Sequence, residues 1–237
     1  MQDQGYVALV LHSHLPFVRH PEHEDFLEER WFFEALTETY LPLLERYQRL
    51  ANDRVPLRIT MSFTPTLLAM LSDPFLRTRY VRHLEKLIEL SEKEIWRTRW
   101  EPPFHRLALL YHHRFAGARR LFVDSHHGDL VTPLRELADA GLLEPIASAA
   151  THGFLPLMDY QPVAVRAQIR VGVQAFEQCF GRRPVGIWLP ECGYHPGHDA
   201  FLKEEGLRSM SVELGACGAG VAVFLLGRLL ERGASRG

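Results

Sequence analysis

The stretch Gly-Ile-Trp-Leu-Pro-Glu-Cys-Gly-Tyr (residues 186–194) places a carboxylate, Glu191, directly after a short apolar run and a proline. The run predicts a buried strand. A strand that ends in Pro-Glu presents the acid at its carboxyl end, where α/β enzymes collect their reacting groups. The alternative is a carboxylate that caps the following helix. Polar residues elsewhere in the chain favour the first interpretation.

Apolar runs and helical patterns alternate along the rest of the chain. The runs predict four strands, at residues 6–11, 57–61, 143–149 and 185–189. Apolar residues at helical spacing predict helices at 31–50, 79–96, 105–124, 130–140, 163–180 and 199–205. Strands separated by long helices form βαβ units. The sequence therefore predicts an α/β fold with a parallel sheet or barrel.

A polar cluster follows each predicted strand. In strand order, the clusters contain His12 and His14, Thr64 and Thr66, His152, and Glu191. Because the carboxyl ends of parallel strands share one face, we expect these segments to meet at a single pocket. His12 and His14 are two residues apart, which in an extended segment points both rings to the same side.

Three interpretations of this cluster remain open on the residues alone. The histidines can be structural and bond only to loops. His12 and His14, with either His152 or Glu191, can form a three-ligand zinc site with an open position for water. The cluster can also bind sugar, with imidazoles on the hydroxyl groups. The candidate aromatic platforms for sugar rings are Trp31, Trp188 and Tyr194.

Composition excludes several classes of protein. The chain has 237 residues, of which 46% are hydrophobic and 24% charged, so it can bury a core. A net charge of −2 gives no basic surface for nucleic acid. Three cysteines without C-x-x-C spacing indicate a reducing compartment. No secretory signal or membrane span is recognised at the sequence level, and we expect a cytoplasmic protein.

Three segments carry a resemblance to a known family. They are His-Ser-His-Leu-Pro-Phe-Val (12–18), Ala-Thr-His-Gly-Phe-Leu-Pro-Leu (150–157) and the 186–194 stretch. In this order they resemble the first three sequence regions of glycoside hydrolase family 57. The segment from Trp31 to Pro42 is similar to the subgroup of 1,4-α-glucan branching enzymes. The resemblance covers roughly residues 5–208.

The resemblance implies an incomplete, distorted (β/α)7 barrel of the glycoside hydrolase/deacetylase type, and retaining chemistry on α-1,4-glucans. Glu191 matches the family's nucleophile, and His12, His14 and His152 match positions that line the donor sugar subsite. The second carboxyl group of a retaining pair stands about 5 to 5.5 Å from the first. The resemblance implies no metal and no cofactor. The family alternatives are an α-amylase or a 4-α-glucanotransferase.

The end of the chain departs from the family pattern. The family's general acid, an Asp in a fourth motif, has no counterpart here. We expect residues 1–208 to be the N-terminal part of the barrel, and residues 209–237 to be an aberrant tail from a shifted reading frame or a premature end. The tail is expected to pack poorly, or to form a helix over 221–232 that covers the sheet edge.

The leading hypothesis is a truncated branching enzyme that is inactive alone, with an α-1,4-glucan as substrate. A second chain that completes the barrel and supplies the acid is the milder version. From other classes, a zinc-dependent carbohydrate deacetylase and a non-catalytic glucan-binding remnant stay open. The charged stretch from Glu22 to Arg30 is interpreted as a solvated lead-in to the first helix.

Overall fold

The computed structural model describes residues 9–56, 58–213 and 224–228. The chain divides into two compact units. The first, here called the sheet unit, comprises the described parts of 1–16, 58–68 and 143–237. The second, the helical unit, comprises those of 17–57 and 69–142.

The sheet unit is built on six strands that pair in chain order. They are β1 (Val10–Ser13), β2 (Ile59–Phe63), β3 (Leu143–Ser148), β4 (Gly186–Trp188), β5 (Ser209–Glu213) and β6 (Phe224–Arg228). Neighbours from β1 to β5 pair parallel, and β6 pairs antiparallel with β5. The parallel pairing brings the carboxyl ends of the first five strands to one edge of the sheet, as the sequence predicts for the first four.

Nine helices accompany the strands. They are α1 (Leu27–Ala35), α2 (Leu41–Asn52), α3 (Pro65–Ser72), α4 (Pro74–Arg97), α5 (Pro102–Arg119), α6 (Val131–Asp139), α7 (Leu155–Met158), α8 (Pro162–Phe180) and α9 (His198–Glu204) in the described part of the chain. Single π-helical turns, Leu36–Tyr40 and Arg120–Ser125, continue α1 into α2 and extend α5. All six predicted helices are confirmed, whereas α3 and α7 are not predicted.

The first two strands lie further along the chain than the sequence predicts. β1 includes His12 and Ser13, which were expected to follow it, and β2 begins two residues late. Residues 6–8 lie outside the described residues. The reason is a polar contact inside the ladder: His12 pairs in register with Ser62 and its Nδ1 lies 2.6 Å from the Ser62 hydroxyl. A strand can therefore continue past its apolar run.

The stretch beyond residue 208 contains two strands. β5 pairs with β4 through Ser209, Met210 and Ser211, and β6 pairs with β5. The helix expected over 221–232 is wrong for Phe224–Arg228, which is a strand, and the remainder of that range lies outside the described residues. The division of the chain at residue 208 stays a prediction.

Helix α8 packs closely on β3. Val165, Ile169 and Val173 are fully buried along one face of the helix. At Gly172 the approach is so close that a Cβ would lie 2.1 Å from the carbonyl oxygen of Ser148. A glycine is needed here because no side chain fits between helix and strand.

The helical unit has its own apolar core, which includes Phe32, Leu76 and Tyr80. Glu29 contradicts the expectation of a solvated lead-in, because its side chain is 1% exposed and pairs with Arg79 at 2.6 Å. The Glu29 carboxylate also accepts from the His20 backbone N–H.

No helix in the described part of the chain combines the length and apolarity that a bilayer crossing requires.

Candidate active site

Three imidazoles gather at the carboxyl ends of the strands in the sheet unit. The rings of His14 and His152 stack with centroids 3.9 Å apart, and those of His12 and His152 are 4.9 Å apart. The rings of His12 and His14 are nearly parallel at 6.1 Å, which confirms that these two residues of an extended segment point to one side. The predicted convergence of the three histidines is therefore observed.

A chain of hydrogen bonds fixes the tautomers of two of these rings. The Ser148 hydroxyl donates to the carbonyl oxygen of Trp188 at 2.9 Å, so it must accept from Nδ1–H of His152 at 3.2 Å. Nε2 of His152 is then an acceptor, and His12 donates to it from Nε2–H at 3.3 Å. Nδ1 of His12 accepts from the Ser62 hydroxyl. We call this sequence the imidazole relay.

A second chain of bonds orients His14. The Thr66 hydroxyl donates to the Leu15 carbonyl oxygen at 2.8 Å, so it accepts from Thr64 at 3.1 Å. The Thr64 oxygen is thereby left to accept from Nδ1–H of His14 at 3.3 Å. The other nitrogen, Nε2, carries a lone pair and has no protein hydrogen-bond partner within the described ranges.

Burial keeps these imidazoles neutral. Loss of solvent lowers the pKa of His152 to about 3, with His14 and His12 adding to the shift. Burial and then the neighbouring His14 lower the pKa of His12 to about 4. Burial also lowers the pKa of His14, against an opposing effect of Glu191. Neutral rings agree with the imidazole relay, in which each ring carries one proton.

Glu191 occupies an unusual backbone conformation. It lies in a short 3-10 segment, Pro190–Cys192, with φ 50° and ψ 27°. Both Glu191 and Cys192 have left-handed φ values, which cost non-glycine residues on the order of 1–3 kcal/mol each. The turn leaves the Glu191 side chain 74% exposed at the end of β4. Strain of this kind is typical of functional sites.

The carboxylate of Glu191 lies beside His152 without a charge partner there. Its Oε1 is 3.6 Å from Nε2 of His152, whose side chain is 4% exposed. The contact would be an ion pair only if His152 were protonated, and a pKa of about 3 keeps it neutral near pH 7. The carboxylate is therefore not held in an ion pair by His152, whose Nε2 accepts from His12.

The two loops that carry His152 and Glu191 are joined to each other. The Phe154 ring fills the space over Gly193, where a Cβ would lie 2.2 Å from a ring carbon. Asp159, beyond α7, contacts His195 at 3.4 Å and His198 at 3.0 Å. These contacts hold the Glu191 segment against the His152 loop.

The three predicted aromatic platforms differ in their surroundings. Trp188 is 6% exposed and stacks on His12 at 4.6 Å, so it supports the imidazole. Tyr194 is 40% exposed and donates from Oη to Asp199 at 3.4 Å. Trp31 belongs to α1 of the helical unit, where it lines a cavity of about 700 Å³ with Glu34. Sugar binding by all three stays a prediction.

The geometry bears on the zinc alternative. The in-plane lone pairs of two rings stacked face to face run side by side, so His14 and His152 do not converge on one ion.

Sequence reasoning missed the hydroxyl groups of Ser62 and Ser148 that orient the rings. Their position at strand ends beside the histidines is the signal that would have found them.

Comparisons with known proteins point to one family. The family model "Glycosyl hydrolase family 57" matches residues 8–228. The chain is 36% identical to a 1,4-alpha-glucan branching enzyme of Thermococcus kodakarensis, over 96% of this chain and 35% of that protein. A probable 1,4-alpha-glucan branching enzyme of Mycobacterium tuberculosis is 29% identical, over 88% and 41%.

Solved structures show the same fold. The alpha-amylase AmyC from Thermotoga maritima superposes with a TM-score of 0.82 at 44% identity, over 86% of this chain and 39% of that chain. A GH57-type branching enzyme from Pyrococcus horikoshii gives 0.81 at 33% identity, over 87% and 41%. The predicted fold class, α/β of the (β/α)7 barrel type, is confirmed.

The chain spans about two fifths of the length of these relatives. Within that span the match runs through all six strands of the sheet and through the loops that carry His152 and Glu191. The match to the family model and the relatives at more than 30% identity show that the chain belongs to glycosyl hydrolase family 57.

Proposed function

We propose that this chain carries the nucleophile site of a 1,4-α-glucan branching enzyme, with Glu191 as the nucleophile. In the proposed reaction the carboxylate attacks the anomeric carbon of an α-1,4-glucan and forms a glycosyl-enzyme ester. A 6-hydroxyl of another glucan then takes the chain, which leaves an α-1,6 branch. The observation that carries the proposal is the exposed, strained Glu191 beside a neutral His152.

The imidazoles have a defined part in this proposal. A sugar hydroxyl both donates and accepts hydrogen bonds, so a subsite needs groups that are fixed in advance as donors or as acceptors. Nε2 of His14 offers a lone pair, since Nδ1–H is held by Thr64. His12 and His152 are fixed by the imidazole relay and line the wall beside Glu191. Sugar contacts of Tyr194 in the sheet unit and of Trp31 in the helical unit are two separate proposals.

The proposed reaction also needs an acid that protonates the leaving oxygen. Deleting a general acid removes a factor of about 10² to 10⁴ in rate. We propose that this acid is an Asp outside the chain, on a second polypeptide if the 237 residues are the whole product. The 237-residue chain alone is then expected to show no measurable branching, and co-purification would reveal the partner.

The cytoplasmic location likewise stays a prediction.

Hydrolysis is the second candidate. The 44% identity to the structure titled as an alpha-amylase favours it. The two reactions share the glycosyl-enzyme ester and differ in the acceptor, which is water in one and a glucan 6-hydroxyl in the other. Debranching the products of the complete enzyme on amylose distinguishes them, because only branching yields α-1,6 linkages.

The nucleophile can be tested without the acid. A maltosyl fluoride with a second ring fluorine, which slows breakdown of the ester, reacts by loss of fluoride, and fluoride needs no protonation to leave. The Glu191 oxygen bonds to the anomeric carbon as the carbon–fluorine bond breaks. We expect one maltosyl unit on the chain, and peptide mass spectrometry should place it on Glu191.

Two variants control this experiment. Glu191→Gln removes the nucleophile with little change of shape and should abolish labelling. Glu22→Gln changes an exposed carboxylate of the helical unit and should leave labelling intact. A wild-type chain that stays unlabelled, or a label that persists in Glu191→Gln, would refute the assignment.

A further inference from the structure

A second cluster of metal-ligating side chains lies in the sheet unit, four residues beyond Glu191. It consists of Asp159, which follows α7, of His195, and of His198, the first residue of α9. One nitrogen or oxygen of each residue lies within 4.8 Å of those of the other two, and these three form the metal-capable group found among the described residues. The nucleophile chemistry does not use them.

The spacing of the ligand atoms suits a small transition-metal ion. One oxygen of the Asp159 carboxylate, Oδ1, lies 3.0 Å from Nε2 of His198, and the other, Oδ2, lies 3.4 Å from Nδ1 of His195. In a tetrahedral zinc site with bonds near 2.0–2.1 Å, ligand atoms are about 3.3 Å apart. Unlike the stacked rings of the candidate active site, these two imidazoles approach one carboxylate from separate positions.

The surroundings supply a rigid ligand and an open side. The His198 side chain is 1% exposed, between Tyr194 and Phe201, whose rings are each 6.4 Å from its own. The side chains of His195 and Asp159 are 48% and 35% exposed, so an ion and a water molecule can reach them. Within the described ranges, Asp159 forms no ion pair with Lys or Arg.

His198 provides an independent observation. Its Nε2 faces the Asp159 carboxylate, while its buried Nδ1 has no hydrogen-bond partner in the described part of the chain. Among the described residues the Asp159 carboxylate is therefore the only hydrogen-bond partner of this buried ring, and no second bond at Nδ1 fixes which nitrogen carries the proton. A neutral ring that carries its proton on Nδ1 presents the Nε2 lone pair at the Asp159 carboxylate, where a cation can bind both groups.

We propose that Asp159, His195 and His198 bind a divalent transition-metal ion of the Zn²⁺ type, with water in the remaining position. Two neutral imidazoles and one carboxylate favour such an ion over Ca²⁺ or Mg²⁺, which prefer oxygen ligands. The ion would tie the segment that follows Glu191 to the end of the His152 loop. Its role is to hold this segment, and it takes no part in glycosyl transfer.

Calorimetric titration of the chelator-treated, tag-free chain with ZnCl₂ tests the proposal. We expect one Zn²⁺ per chain and no saturable binding of Ca²⁺. Asp159→Asn keeps the shape of the carboxylate and His195→Ala removes an exposed ring, so both variants should fold, and each should weaken binding by about tenfold or more. Circular dichroism verifies the fold of each variant.

Two controls make the result specific. His113→Gln removes an exposed histidine of α5 in the helical unit and should leave the affinity unchanged. His12→Ala removes a ring of the candidate active site and should also leave it unchanged. Absence of saturable Zn²⁺ binding, binding that survives in Asp159→Asn and His195→Ala, or binding lost in His12→Ala would each overturn the assignment.

Discussion

His152→Asn should remove a large part of the acid sensitivity of the fold. Burial lowers the pKa of His152 to about 3 from an ordinary value of 6.5. Between pH 3 and pH 6.5 this imidazole is protonated in the unfolded chain and unprotonated in the folded chain, so the free energy of unfolding rises with pH. The contribution of His152 to the free energy of unfolding is therefore greatest above about pH 6.5, and it decreases as the pH falls toward 3.

The magnitude follows from the linkage relation. Each pKa unit corresponds to about 1.4 kcal/mol, so the full loss from His152 is on the order of 5 kcal/mol. Between pH 7.5 and pH 5.0 the loss is about 2 kcal/mol, and it would be nearly the same if the folded pKa were about 4. The residue as a whole is half-buried, so solvent screening makes these figures upper limits.

Urea unfolding at pH 7.5 and 5.0, followed by circular dichroism, measures the effect. The drop in unfolding free energy should be about 2 kcal/mol smaller in His152→Asn than in the wild type. His127→Asn is a matched control, because His127 is exposed and has a φ of 51° against 56° for His152. It should keep the wild-type response. An equal drop in all three proteins would refute the reasoning.

Three further substitutions test the packing and polar contacts. Ser148→Ala removes the hydroxyl that accepts from the His152 N–H and donates to the Trp188 carbonyl, and should cost about 2 kcal/mol or more in urea unfolding, whereas Ser148→Thr keeps the hydroxyl. Gly172→Ala forces a methyl group against the Ser148 carbonyl, and thermal unfolding should show a loss of about 1–3 kcal/mol, against little change for Gly181→Asn. Arg79→Met leaves the buried Glu29 charge unpaired and should cost about 3–5 kcal/mol, part of which Glu29→Gln in the same chain should restore.

The pattern of the sequence was sufficient for the parallel sheet and for the meeting of His12, His14 and His152. Apolar runs of five to seven residues between long amphipathic segments leave few arrangements other than βαβ units. The convergence of the rings then follows from the shared direction of the strands. These features depend on periodicity and on chain direction, and both are visible in a single sequence.

Polar contacts between residues far apart in the chain were not predictable from the pattern of apolar residues. The ends of β1 and β2 depend on the bond between His12 and Ser62, which joins residues 50 positions apart. The burial of Glu29 depends on Arg79, which is equally distant in the chain. Contacts of this range set strand ends and the state of charged groups, and residue type alone does not indicate which partner each group will find.

The imidazole relay has a direction that cannot be reversed. Its last acceptor is the backbone carbonyl of Trp188, which has no proton to return, and each earlier member, back to Ser62, therefore donates the same way. Protons cannot be passed along it toward Glu191 and back during a catalytic cycle. The histidine pair behaves as a fixed electrical dipole, and in the proposed reaction another group has to exchange protons with the leaving and entering sugar oxygens.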